Sequence, residues 1–158
     1  MNTGVQMTGL SQLHAHAYAL AACYHNGQFD KAGKPYFEHV LKVKDLLKSD
    51  DIELQIIAIL HDLLEDTPVT RTTLEGIGYS ERVIHGIECL TKLDGESEEE
   101  YKNKVKSNKD SILVKLADLT HNSDIRRLKG LRPKDFARTI KYQEFFLELE
   151  EIKRSWNV

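Results

Sequence analysis

The stretch "IELQIIAILHDLLEDTP", residues 52–68, decides how this chain is read. Its first nine residues are almost wholly apolar. His61, Asp62, Glu65 and Asp66 then fall within six positions, and Pro68 ends the run. The apolar part predicts a buried helix capped by Asp50 or Asp51. Carboxylates are badly placed at its far end. A helix C-terminus carries partial negative charge, and each acid there costs about 0.3–1 kcal/mol near the surface. A divalent cation beside that end would reverse the local sign. On a continuous helix His61 lies above Glu65, and Asp62 above Asp66. His61 and Asp62 are about 100° apart around the axis, so both can reach one ion lodged beside the helix.

Two other segments supply matching donors. His39 stands in "PYFEHV", residues 35–40, and Asp118 in "VKLADLTHN", residues 114–122. An apolar run precedes Asp118 as one precedes His61, and a buried aspartate is rarely left unpaired. His39, His61, Asp62 and Asp118 together offer two imidazoles and two carboxylates. That mixed nitrogen and oxygen set suits Mn²⁺, Fe²⁺, Co²⁺ or Zn²⁺ better than Mg²⁺ or Ca²⁺. Four protein ligands would leave room for water and a substrate oxygen on a six-coordinate ion. Such an ion acidifies water toward neutral pH, and Glu65 and Asp66 are placed to orient that water or take its proton.

The remainder reads as helix throughout. "SQLHAHAYALAACYHNG" predicts a helix with Ser11 at its start and Gly27 as its stop. Pro35 is suited to the start of a second helix. A short helix at "RTTLEGI" should end near Gly78, and Ser80 should open the next. The acidic "DGESEEE" reads as an exposed loop leading into "EEEYKNKVKSN". "DSILVKLADLTHN" is the second strongly apolar helix, although "SILV" alone would also suit a buried strand, and Pro133 opens the last. The expectation is all-α: one domain over residues 1–158, with its core at about 10–154 and seven or eight helices in a bundle.

Bulk properties narrow the function. At 158 residues, 30% charged and 41% hydrophobic, the composition is that of a soluble globular domain. The net charge of -3 and the lack of a basic stripe argue against a nucleic-acid binder. No apolar run approaches the roughly 20 residues of a membrane span, and "MNTGVQMTGL" lacks the pattern of a signal peptide. Cys23 and Cys89 are the only cysteines, which fits a reducing cytoplasm and excludes a cysteine-based zinc site.

"GQFDKAGKPYFEH" (27–39), "AILHDLLEDT" (58–67), "TKL" (91–93) and "ILVKLADLTHN" (112–122) occur in that order. In these segments the chain resembles the HD-domain hydrolases of the RelA/SpoT type, particularly the stand-alone small alarmone hydrolases, over roughly residues 10–150. The resemblance implies an HD-type helical fold and one divalent metal ion, usually Mn²⁺, on His39, His61, Asp62 and Asp118. It implies Glu65 and Asp66 as the catalytic acidic pair. The reaction implied is hydrolysis of the 3′-pyrophosphate of guanosine tetra- or pentaphosphate, a small nucleotide substrate. Lys31, Asn122, Arg138 and Tyr142 fall where substrate contacts would lie. Arg138 and Tyr142 are four apart, so a cation and an aromatic ring would share a helix face, which suits a phosphate beside a base or ribose.

Two positions depart from the family pattern. Asp30 stands where an arginine is usual, and Leu119 follows Asp118 where another arginine is usual. An acid at position 30 would repel an anionic ligand. A nucleotidase or phosphodiesterase for another small phosphate compound is therefore the alternative, and a non-catalytic nucleotide-binding module the second. The oligomeric state has no sequence signature. His14, His16, His25 and His85 show no motif and read as surface or structural. His121 is open between orienting Asp118 and facing solvent, and Asp118 alone could simply pair with Lys115.

Overall fold

The structure, a computed structural model, describes residues 9–157. The chain runs through α1 (Leu10–Tyr24), α2 (Tyr36–Leu46), α3 (Ile52–Leu60), the single turn α4 (Leu63–Asp66), α5 (Arg71–Ile77), α6 (Glu81–Leu90), α7 (Glu98–Lys106), α8 (Lys109–Asn122) and α9 (Pro133–Ser155). A 3₁₀ turn (Ile125–Arg127) precedes α9. Eight of these helices have seven residues or more, in agreement with the all-α expectation. The only β pairing among the described residues is an isolated bridge between Phe29 and Pro35. "SILV" is helical, because Asn108 caps the segment through Ser111 N (2.9 Å) and its polar residues recur at helical spacing.

α3 is the central element, with α1, α2, α6 and α8 packed around it. Ile56, Ile57, Ile59 and Leu60 are fully buried, and burial stabilises each by roughly 1.5–3 kcal/mol. Asp51 caps the helix through Leu54 N (3.2 Å). α6 approaches α3 closely at Gly86, where a Cβ would lie 2.7 Å from Ile57 Cδ1. No helix among the described residues is long and apolar enough to cross a membrane.

Some boundaries differ from expectation. Gly9, not Ser11, precedes α1, and Ser11 falls within its first turn. More consequentially, residues 52–66 are not one helix. α3 stops at Leu60, Asp62 adopts φ -100°, ψ 0°, and α4 starts afresh with Asp66 N bonded to Asp62 O at 3.0 Å. His61 and Asp62 thus occupy a joint between two helical segments rather than a helix face.

Candidate metal centre and adjoining cavity

The joint after α3 aims His61 and Asp62 at the residues brought by α2 and α8. His61 Nε2 lies 2.8 Å from Asp62 Oδ2 and 3.7 Å from Asp118 Oδ1. His39 Nε2 lies 3.0 Å from Asp118 Oδ1 and 3.9 Å from Asp62 Oδ2. Donor atoms of His39, His61 and Asp62 all fall within 4.8 Å of one another. Both imidazoles and Asp118 are buried. The four sequence-predicted ligands are therefore gathered at one place, from three segments of the chain.

Their hydrogen bonding fits a cation. The Nδ1–H of His61 donates to Ala58 O at 2.7 Å, which leaves Nε2 as the bare nitrogen facing the carboxylates. That atom is buried and has no hydrogen-bond partner. A lone pair and carboxylate oxygens converging without a proton between them are repulsive unless a positive ion lies among them. His39 has its own support, since its Nδ1 meets Nδ1 of His121 at 2.6 Å and the two rings stack at 4.9 Å. Burial and the nearby Arg127 guanidinium depress the His121 imidazole to about 4. A neutral His121 can accept the His39 Nδ1–H and leave His39 Nε2 turned to the centre. His121 thus supports His39, not Asp118.

Asp118 carries both of its readings at once. Oδ2 pairs with Lys115 Nζ at 2.8 Å, while Oδ1 accepts from Asn122 Nδ2 at 2.8 Å and faces the imidazoles. Burial pushes the Asp118 carboxyl up, but Lys115 and the imidazoles outweigh it and hold it well below its ordinary value. Tyr36 donates its hydroxyl to Asp62 Oδ2 at 2.5 Å. Sequence reading gave Tyr36 no role, although its place three residues before His39 on one helix face was a usable signal.

Glu65 and Asp66 sit on α4 with their carboxyls partly exposed and partly shielded by the protein. Burial and the charge of Asp62 push both carboxyls above their ordinary values. The Asp66 carbonyl is held by Gln28 Nε2 at 3.0 Å, and Gln28 is in turn held by His25 Nδ1 at 2.8 Å. His25 is buried and structural, so this α4 turn is tied to the loop before α2.

A cavity of about 290 Å³ opens beside His39 and Tyr36. Lys31, Asn122, Arg138 and Tyr142, the four expected substrate contacts, all line it. Asn122 is engaged with Asp118, so it braces that carboxylate as well as facing the cavity. Asp30 is also in the wall, but its Oδ2 accepts from Arg127 Nη2 at 2.7 Å and its Oδ1 accepts from the N–H groups of Ala32 and Lys34, both at 2.9 Å. The acid is neutralised and spent on shaping its own loop, where Gly33 takes φ +80°. The expected repulsion of an anion is corrected accordingly. Arg127 has no motif in the sequence; only the fold reveals its place.

No protein-family model matches the chain. Individual proteins do. The chain is 33% identical over 133 residues to the bifunctional (p)ppGpp synthase/hydrolase SpoT of Escherichia coli, covering 74% of this chain and 18% of that protein. It is 36% identical over 121 residues to a guanosine-3′,5′-bis(diphosphate) 3′-pyrophosphohydrolase of Haemophilus influenzae, covering 69% and 18%. It is 34% identical over 122 residues to a GTP pyrophosphokinase of Myxococcus xanthus, covering 67% and 16%. The chain thus spans less than a fifth of the length of each of these relatives. A solved structure described as a metazoan ortholog of SpoT that hydrolyzes ppGpp aligns with a TM-score of 0.72, covering 94% of this chain and 98% of that one at 22% identity. That likeness shows a shared fold.

Proposed function

We propose that this chain, which belongs to the HD-domain family of the RelA/SpoT type, is a metal-dependent phosphohydrolase that removes the 3′-pyrophosphate of guanosine tetra- or pentaphosphate. The observation that carries the reading is the convergence of His39, His61, Asp62 and Asp118 with His61 Nε2 left unpartnered. The names of the relatives support the substrate. His39, His61, Asp62 and Asp118 would hold one divalent ion. Its mixed donor set suits Mn²⁺, Fe²⁺, Co²⁺ or Zn²⁺ better than Mg²⁺ or Ca²⁺, and among these the family resemblance favours Mn²⁺. When bound, the ion supplies Lewis-acid polarisation of a phosphoryl oxygen and a lowered pKa for water.

The chain's own residues supply the rest. Glu65 or Asp66 takes a proton from the attacking water as its oxygen bonds to the phosphorus on O3′. The P–O3′ bond breaks, pyrophosphate departs, and the proton taken from water is returned to O3′, which ends as a hydroxyl. The raised carboxyls of Glu65 and Asp66 make each a better base than an ordinary acid. Lys31 and Arg138 neutralise phosphate charge, and Tyr142 offers a flat face to base or ribose. The substrate is a freely diffusing small molecule, which suits a cytoplasmic setting, and neither nucleic acid nor membrane enters the reading.

The test is release of pyrophosphate from guanosine tetraphosphate by purified protein with Mn²⁺, with loss of the signal in Asp62→Ala. Absence of turnover across alarmones, nucleoside monophosphates and cyclic nucleotides would sink the reading. The rival built on Asp30 loses its ground, since that acid is paired with Arg127. The non-catalytic alternative leaves Glu65 and Asp66 unexplained, because binding an anion needs no carboxylates nearby.

A further inference from the structure

α9 is the longest helix of the described residues, 23 residues and about 35 Å from end to end. It rests chiefly on α8, with Phe145 and Leu149 turned inward and buried. Its opposite face is apolar as well. Phe136, Ile140 and Leu147 are 53%, 59% and 54% exposed. With Gln143 among them they follow one another at steps of four, three and four. That spacing draws one seam down the helix, about 160–180° from the buried face. Single exposed apolar side chains are ordinary on a protein surface. Three on one heptad seam of one helix are a helix-pairing face. The charges beside the seam are sorted along the helix. Lys134 and Lys141 stand in its first half, Glu144 and Glu151 in its second. The ion pairs of α9 engage other charges and leave these four without one among the described residues. Lys141 and Glu144 are three apart, but in the order that pairs less well within a helix. A face with cations toward one end, anions toward the other and an apolar seam between is complementary to itself when turned end for end.

We propose that the outer face of α9 receives a second copy of this chain, the two helices lying antiparallel about a two-fold axis. A single axis satisfies both the seam and its flanks. It sets Lys134 against the partner's Glu151, Lys141 against the partner's Glu144, and Phe136 against the partner's Leu147. Each of these pairs is centred within one residue of Tyr142, so one register serves all three. Gln143 falls beside its own copy at the axis, where two amides can bond each other. The other side of the same helix carries Arg138 and Tyr142 to the cavity. Pairing therefore braces one wall of that cavity from outside.

Sedimentation of the purified chain between about 1 and 100 µM should show monomer passing to dimer, with a Kd of about 10 µM or tighter. A chain still monomeric at about 100 µM leaves the face to a different protein and overturns the proposal. Ile140→Glu and, separately, Leu147→Glu should each weaken the dimer about tenfold or more. Far-ultraviolet circular dichroism should keep its helical signal in both. Lys141→Glu sets like charges against each other and should also weaken the dimer. Lys141→Glu/Glu144→Lys exchanges the two charges and should bring the dimer back, which pairing through any other face would not produce. A dimer indifferent to all four variants lies elsewhere on the molecule and overturns the proposal, as does an exchange that fails to rescue. Neither the variants nor the readout involve the metal centre, so this outcome and that of the hydrolase assay are independent.

Discussion

Asp30 and Arg127, separated by 97 positions in the chain, join across the cavity wall with Oδ2 and Nη2 2.7 Å apart. Arg127 also donates through Nη1 to His121 O at 2.9 Å. The loop before α2 is thus clamped to the segment after α8, the helix that brings Asp118. Arg127→Ala leaves a mostly shielded carboxylate without its cation, although two backbone N–H groups still serve it. A destabilisation of about 1–3 kcal/mol is expected by urea denaturation. A double-mutant cycle with Asp30→Ala should show a coupling of roughly 0.5–3 kcal/mol. Additive effects would mean that the pair is incidental.

His121 supports His39 from behind. His121→Phe keeps a ring in the stack but removes the acceptor for His39 Nδ1–H. Mn²⁺ affinity should fall by about 10–100-fold while the fold persists. Metal titration followed by a thermal melt checks both halves of this expectation.

Glu65→Gln and Asp66→Asn should separate chemistry from metal binding. Neither carboxyl belongs to the gathered four, so Mn²⁺ should still bind. The residue that serves as base should lose about 10²–10⁴-fold in kcat on substitution, and the other should lose less. Equal loss of metal and activity would place them among the ligands instead.

Removing the cation should weaken the fold. Burial pulls the His61 imidazole down, yet the charges of Asp62 and Asp118 outweigh it and hold it well above its ordinary value. Without an ion the centre must take up a proton or bear its own repulsion. Exhaustive chelation should lower the melting temperature, and Mn²⁺ should restore it in a concentration-dependent way. A melting curve indifferent to Mn²⁺ up to millimolar levels would count against the centre.

Gly86→Ala tests the contact behind the site. The new methyl would meet Ile57 Cδ1 at 2.7 Å inside a filled core, at a cost of about 1–3 kcal/mol. Ile57→Val removes that Cδ1 and should recover part of the loss in the double variant.

The four convergent residues were legible in the sequence because each breaks an apolar pattern, and a polar side chain set into a buried helix needs a reason. The caps at Asp51 and Ser80 were legible, since capping is local chemistry. The break at His61–Asp62 was not. Its cause is tertiary: the joint turns Asp62 toward Tyr36 and the two imidazoles, and a continuous helical period hides it. Asp30 was misjudged for a related reason. A charge read alone looks repulsive, and its partner Arg127 is visible only once the fold has closed. Gly86 carried no sequence signal for its role, because the constraint lies in the helix that crosses it.

His39, His61, Asp62 and Asp118 hang from α2, the end of α3 and α8, whose backs are sealed into one core. The rest of the cavity wall is drawn from the loop at 29–32, the 3₁₀ turn and the start of α9, and it is joined largely by polar contacts. Evolution can therefore exchange the lightly fastened wall without touching the grip. A chain of this build can be re-lined for a different occupant while the four convergent side chains keep their footing.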